Sequence, residues 1–227
     1  MTGSLTPASI ALLAMAAVAA GADWVVVARD ASRPHEAGRP RATPSARLFT
    51  KPLVLVLLVA VAITLEPRDP AVRAWFVVGL VCSLVGDVAL LSPRGFAAGL
   101  AIFLLAHVAY AVGFLVGGVS VVPLVAGLAV MVVFDAVLAR RVLPALRTSG
   151  RGSLVRPVVA YMAAITAMVT LAAGSALSLA IVGAGLFAAS DAILADGRFV
   201  RRRPCAEIAV MVLYHVGQAC LVLSLVA

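Results

Sequence analysis

Long apolar runs separated by short polar segments leave this chain few options. They extend over about Leu5 to Val27, Pro52 to Leu65, Ala74 to Leu91, Ala97 to Val116, Val119 to Ala139, Val158 to Ala173, Ser175 to Ala195 and Cys205 to Val226. Hydrocarbon offers no water to pair with backbone N–H and C=O groups, so a spanning segment must close its own hydrogen bonds, and runs of this length do so as α-helices. A core about 30 Å thick takes roughly 20 residues per helix. The expected fold is all-α, a polytopic membrane protein of about eight transmembrane helices forming a single transmembrane domain over 1–227. Composition matters here for one point: with 63% hydrophobic and 12% charged residues, no soluble domain is left over. The second and sixth runs are short for a full span and are expected to tilt or to extend into their flanks. Pro52 and Pro157 are expected at the starts of these helices, where a missing N–H costs nothing.

Basic residues near span ends favour the cytoplasmic side. Of the 18 Lys and Arg residues, all but Arg68 and Arg73 fall before or after the odd connections, among them Arg29, Arg33, Arg39, Arg41, Arg47, Lys51, Arg94, Arg140, Arg141, Arg147, Arg151, Arg156, Arg198, Arg201, Arg202 and Arg203. Both termini are therefore expected to be non-cytoplasmic, in a bacterial inner (plasma) membrane. The net charge of +8 is accounted for by this topology and does not call for nucleic acid; attraction of anionic lipid headgroups is compatible with it. The first run has no positive segment before it, and is read as a retained helix rather than a cleaved signal peptide. Cys82, Cys205 and Cys220 show no CxxC spacing and read as small apolar packers.

Two carboxylates then need a reason. Asp87 sits in SLVGDVALL (Ser83 to Leu91) and Asp191 in GAGLFAASDAILA (Gly183 to Ala195), each four residues before the expected end of its run, or about 6 Å below that boundary. A charge at the bilayer centre costs about 2.5–3.5 kcal/mol on insertion scales, so such residues face an interior or a wet cavity. Their settings echo one another. Lys51-Pro52 precedes Asp87 and Tyr110 lies 23 residues after it; Arg156-Pro157 precedes Asp191 and Tyr214 again lies 23 residues on. The echo suggests a parallel repeat of four helices plus four, with halves 1–116 and 117–227.

Other polar residues divide by setting. Asp135, just before Arg140 and Arg141, reads as a boundary carboxylate paired with those arginines. His107 and Tyr110 share a face of the fourth helix, and His107 is either a buried spacer or a member of the site. Glu207, Tyr214 and Gln218 share a face of the last helix, while His215 points about 100° away and reads as a helix-linking residue. No HxxxH or HxxE pair supports a metal, so neither metal nor cofactor is expected.

TKPL (Thr50 to Leu53), SLVGDVALL, FLLAHVAYAVGF (Phe103 to Phe114), RPVVAYMAAI (Arg156 to Ile165), GAGLFAASDAILA and YHVGQACLVLS (Tyr214 to Ser224) occur in that order over most of the chain. Together they resemble the YhhN-like lysoplasmalogenase family. The resemblance implies an integral membrane hydrolase that cleaves the vinyl ether bond of a lysophospholipid, giving a fatty aldehyde and a glycerophospho-ethanolamine or glycerophospho-choline. It carries over Lys51, Asp87, His107, Tyr110, Tyr161, Asp191, Tyr214 and Gln218. Asp87, Asp191 and His107 are then the candidate catalytic groups, and Lys51, Tyr110, Arg156, Tyr161, Tyr214 and Gln218 the candidate substrate-binding ones.

That chemistry suits two carboxylates. A vinyl ether hydrolyses when a proton reaches the alkene carbon remote from oxygen and water captures the resulting oxocarbenium-like cation. One protonated aspartate would be the acid, and one ionised aspartate would stabilise the cation and orient water; the sequence leaves open which is which. Lys51 and Arg156, at the cytoplasmic starts of helices 2 and 6, are expected to hold the lipid phosphate. Intramembrane Asp and His residues equally suit a proton-coupled transporter or lipid flippase, which is the alternative expectation.

Overall fold

In the computed structural model, residues 3–31, 46–92, 94–201, 203 and 205–227 are described. Arg33, Arg39, Arg41 and Arg202, counted above among the basic loop residues, lie outside them. The described residues form α1 (Pro7–Ala31), α2 (Arg47–Thr64), α3 (Pro70–Leu90), α4 (Phe96–Val116), α5 (Val121–Thr148), α6 (Val155–Gly174), α7 (Ser178–Ala195) and α8 (Ala206–Leu223). A single 3₁₀ turn, Gly152–Leu154, leads into α6, and a π-helical turn, Asp196–Val200, continues α7. Eight of these segments are long and apolar enough to cross a membrane. The chain is an integral membrane protein, all-α as expected.

The two short runs reach spanning length by recruiting their polar N-terminal flanks. Helix α2 begins at Arg47, so Pro52 lies inside it rather than at its start. Pro157 is the third residue of α6, within the first turn, where no intrahelical donor is needed. Helix α3 opens on a well-formed cap: Asp69 accepts from the amides of Ala71 (2.7 Å) and Val72 (3.4 Å), and Pro70 occupies the first helical position. Helix α5 runs past its expected end at Ala139 to Thr148, with Pro144 inside it.

Packing passes from α1 to α2, α3, α4, α6, α7 and α8, and α8 returns to α1. Helix α5 lies outside this circuit, against α6 and the π-helical turn. Only Met131, Val142 and Leu146 of α5 are buried, and its outer face of valines is what a lipid-facing helix presents. Near the non-cytoplasmic end in the expected topology, Ser4 and Glu66 exchange backbone hydrogen bonds (2.9 and 3.0 Å), and the Arg68 amide donates to Leu225 O (3.0 Å). The first and last helices are thereby tied to the α2–α3 connection.

Small residues set the closest approach, between α7 and α8. A Cβ at Gly183 would stand 2.8 Å from Gly217 O, and one at Gly217 would stand 2.9 Å from Gly183 O. The two backbones touch there, which brings Phe187 of α7 and Tyr214 of α8 to ring contact at 5.2 Å. Cys82 and Cys220 are half-buried, as small packers would be, whereas Cys205 is exposed and departs from that reading.

Candidate functional site

A cavity enclosing about 980 Å³ of unfilled space, including its open mouth, lies at the end of the bundle that carries the α3–α4, α5–α6 and α7–α8 connections. Its wall is mostly aliphatic and aromatic, with Leu100, Phe103, Phe134, Met162 and Ile165 among the lining residues. Set into that apolar wall are Lys51, Asp87, Asp135, Tyr161, Asp191, Arg198 and Tyr214. Asp87 and Asp191, a hundred residues apart in the chain, face the same space.

Each of these two aspartates has a basic and a phenolic partner. Lys51 Nζ of α2 stands 2.8 Å from Asp87 Oδ1, and Tyr214 of α8 donates its hydroxyl to Asp87 Oδ2 at 2.9 Å. Lys51 and Asp87 are almost fully buried, at 4% and 1% exposure. The Lys51 ammonium and the Tyr214 hydroxyl both direct hydrogens at the Asp87 carboxyl, and removing one member of this buried pair would leave the other charge alone in low dielectric. Asp191 differs. Tyr161 of α6 donates to its Oδ2 at 2.9 Å, and His107 Nε2 of α4 stands 3.3 Å from the same oxygen. His107 Nδ1 lies 2.6 Å from Phe103 O, an oxygen that can only accept, so Nδ1 carries the hydrogen. In the neutral ring, Nε2 then turns a lone pair towards Asp191. Nε2 is buried and has no hydrogen-bond partner among the described residues, which leaves the Asp191 carboxyl at 3.3 Å as the polar group it faces.

The partners come from opposite halves of the chain. Asp87 of α3 is met by α2 and by α8; Asp191 of α7 is met by α6 and by α4. Phe187 stands between the two sets, with its ring 4.6 Å from His107 and 5.2 Å from Tyr214.

Several sequence expectations are corrected. Tyr110 and Gln218 do not line the cavity. Tyr110 donates to Gln218 Oε1 (2.6 Å) and Gln218 Nε2 donates to Ser83 Oγ (2.9 Å), all three residues being fully buried. They tie α4, α8 and α3 together beneath the site. Tyr110→Phe is accordingly expected to lower the melting temperature, at a cost of about 1–3 kcal/mol for stranding the Gln218 acceptor, and to leave KM unchanged. Thermal unfolding alongside steady-state kinetics checks this. Arg156 is exposed at the start of α6 and does not line the cavity either, and the Lys51 charge is already taken by Asp87.

Asp135 is not the arginine-paired boundary residue that its sequence setting suggests. It lines the cavity and accepts a hydrogen bond from Thr166 of α6, while Arg141 bonds Asp196 at 2.7 Å. Asp135 and Arg140 lie five positions apart, so they point to different sides of α5; helical phase alone could have separated them. His215 does link helices, accepting from Trp24 Nε1 at 3.1 Å. Behind Lys51, Asp23 of α1 is fully buried and accepts from Thr50 at 2.7 Å, a polar contact that sequence reasoning missed. Arg198, also missed, stands at the mouth with its guanidinium 4.6 Å above the Phe96 ring. Its signal in the sequence was only membership of a basic cluster.

The sequence model of the YhhN family matches residues 46–225. The chain belongs to the YhhN family. This YhhN protein is 34% identical over 153 residues to lysoplasmalogenase TMEM86B of Mus musculus, a match covering 66% of the chain and 63% of that protein. It is 35% identical over 152 residues to lysoplasmalogenase TMEM86B of Homo sapiens, covering 64% of the chain and 60% of the relative. The match thus spans less than two thirds of the length of both curated relatives. No solved structure matches the chain. The family match begins at residue 46, so Lys51, His107, Tyr161 and Tyr214, the partners of Asp87 and Asp191 named above, fall within it, whereas Asp23 and Trp24 on α1 precede it.

Proposed function

We propose that this protein is a membrane-embedded hydrolase that cleaves the vinyl ether bond of a lysoplasmalogen or related lysophospholipid. The observation that carries the reading is the pair of carboxylates facing one apolar cavity, Asp87 2.8 Å from a lysine and Asp191 3.3 Å from a histidine nitrogen. The activity in the names of the two relatives fits that equipment.

The Asp191–His107 couple is the proton source. Asp191, protonated, delivers its proton to the alkene carbon remote from oxygen; the π electrons form the C–H bond, and the adjacent carbon becomes part of an oxocarbenium ion. Asp87, held ionised by Lys51 and Tyr214, faces that positive charge and stabilises it. Water adds to the cationic carbon and gives a proton to the now-ionised Asp191. Asp191 then protonates the glycerol oxygen, the C–O bond breaks, and the hemiacetal hydroxyl proton returns to Asp191. The products are a fatty aldehyde and a glycerophospho-alcohol, one water is consumed, and the couple is reset. Tyr161 holds the carboxyl of Asp191 in one orientation throughout.

The aliphatic wall takes the chain and excludes bulk water from the cation. In the topology favoured by basic-residue placement, the cavity opens towards the cytoplasmic leaflet and both termini are non-cytoplasmic. A bacterial inner membrane is the setting that fits. Detergent-purified protein incubated with an alkenyl-glycerophosphoethanolamine is expected to release fatty aldehyde in the absence of any gradient, detected by mass analysis. A protein that releases none, yet moves lysolipid or protons across sealed vesicles, is a transporter, and the hydrolase reading is then wrong.

A further inference from the structure

Among the described residues, the cavity wall carries two cations, and they differ in availability. Lys51 is buried against Asp87, whereas Arg198 is exposed at the mouth and, among the described residues, pairs with no carboxylate. The nearest acidic candidate in sequence, Asp196, is already engaged by Arg141 Nη2 (2.7 Å) and Arg203 Nε (3.2 Å). Arg198 is held in place. Its guanidinium lies 4.6 Å above Phe96, the Phe96 ring packs edge-on against Phe199 at 6.0 Å, and its carbonyl accepts from Arg151 at 3.5 Å. The π-helical turn Asp196–Val200 aims both Arg198 and Phe199 at the cavity. Such turns are rare and recur at functional sites.

We infer that Arg198 is a phosphate-anchoring residue: it takes the phosphate ester of the single-chain lipid and sets how deep the chain enters. The inference rests on the vinyl ether reading for what lies at the other end of the ruler. Arg198 lies seven positions after Asp191, the last of them in the π-helical turn, so the backbone separation is somewhat under the roughly 10 Å rise of a regular α-helix. In an sn-1 ether lipid, five bonds join the ether oxygen to phosphorus, an extended reach of about 6 Å at roughly 1.2 Å per bond. A guanidinium nitrogen 2.7–2.9 Å from a phosphate oxygen adds about 4 Å to phosphorus. The guanidinium-to-ether span of about 10 Å is of the same order as the backbone separation, so a phosphate on Arg198 at the mouth puts the ether on the Asp191 side of the cavity. The guanidinium fork suits two phosphate oxygens at once, and stacking on Phe96 limits its rotamers before the lipid arrives. The enzyme thereby distinguishes an alkenyl lysophospholipid from a neutral alkenylglycerol that carries the same reactive bond.

The test compares wild type with Arg198→Gln on alkenyl-glycerophosphoethanolamine and on the matching alkenylglycerol, at equal mole fraction in detergent micelles. Arg198→Gln is expected to raise KM for the phospholipid about 10-fold or more, to keep kcat within about twofold, and to leave the neutral substrate unaffected. Arg198→Lys, which keeps the charge but not the fork, is expected to fall between. Equal KM changes on both substrates, or none on the phospholipid, overturn the assignment. A binding arm separates it from the parent reading. An uncleavable alkyl-ether lysophospholipid should raise the melting temperature of wild type more than that of Arg198→Gln, while the neutral alkylglycerol should raise both equally. If wild type releases no aldehyde from either substrate, the vinyl ether reading falls and this arm decides Arg198 alone. Inorganic phosphate stabilising wild type as strongly as the lysolipid would overturn the assignment to a lipid.

Discussion

Replacing Asp191 with asparagine is expected to lower aldehyde release at least about 100-fold, the scale on which positioned acid–base groups act. The amide keeps the shape of the carboxyl and can still accept from Tyr161, so the fold should survive. It cannot deliver and recover a proton. It also removes the partner that gives the His107 Nε2 lone pair a reason to face this position at 3.3 Å. His107→Gln should show a smaller loss with the same sign, because Asp191 would remain but its proton would no longer be shared. Rates of aldehyde release with saturating substrate, on protein whose melting curve is intact, check both. Near-normal turnover in folded Asp191→Asn removes Asp191 from the chemistry and moves the acid role elsewhere in the cavity.

Asp87→Asn should abolish activity to a similar degree and, unlike the change at Asp191, should also destabilise the protein. Lys51 is 4% exposed and stands 2.8 Å from Asp87, so the variant strands a buried ammonium. Removing one partner of a buried pair costs about 3–5 kcal/mol, whereas replacing both by apolar groups of similar volume is often neutral or stabilising. The double variant Asp87→Leu with Lys51→Met is therefore expected to recover much of the lost stability and none of the activity. That divergence separates a catalytic carboxylate from a structural ion pair: if the double variant is stable and active, the pair only holds α2 against α3. Thermal unfolding and aldehyde release, measured on the same preparations, decide it.

The roles of the three tyrosines show how little of a site sequence alone can divide. Tyr110, Tyr161 and Tyr214 are the only tyrosines in the chain, and all three donate a buried or half-buried hydroxyl to a partner on another helix. Tyr161 and Tyr214 meet the two aspartates, while Tyr110 meets Gln218 below the cavity. Equal spacing from Asp87 to Tyr110 and from Asp191 to Tyr214 suggested equivalent settings, but the structure puts Tyr110 against Gln218 and Tyr214 against Asp87. Which hydroxyl reaches which carboxylate depends on the rotation of each helix against its neighbours.

The sequence by itself determined the all-α membrane fold, because continuous apolar runs in hydrocarbon admit little else. It also put Asp87 and Asp191 at the same count from the ends of their apolar runs, because a fixed rise per residue converts position in a helix into an expected height. It could not say that Lys51 is consumed by Asp87, that Asp135 turns to Thr166, or that Arg198 and not Arg156 stands at the mouth. Those outcomes depend on lateral packing: the Gly183–Gly217 contact sets how near α7 and α8 lie, and the π-helical turn sets where Arg198 points. Depth is a property of one helix and its sequence. Facing is a property of helices together, and only the tertiary structure decided it.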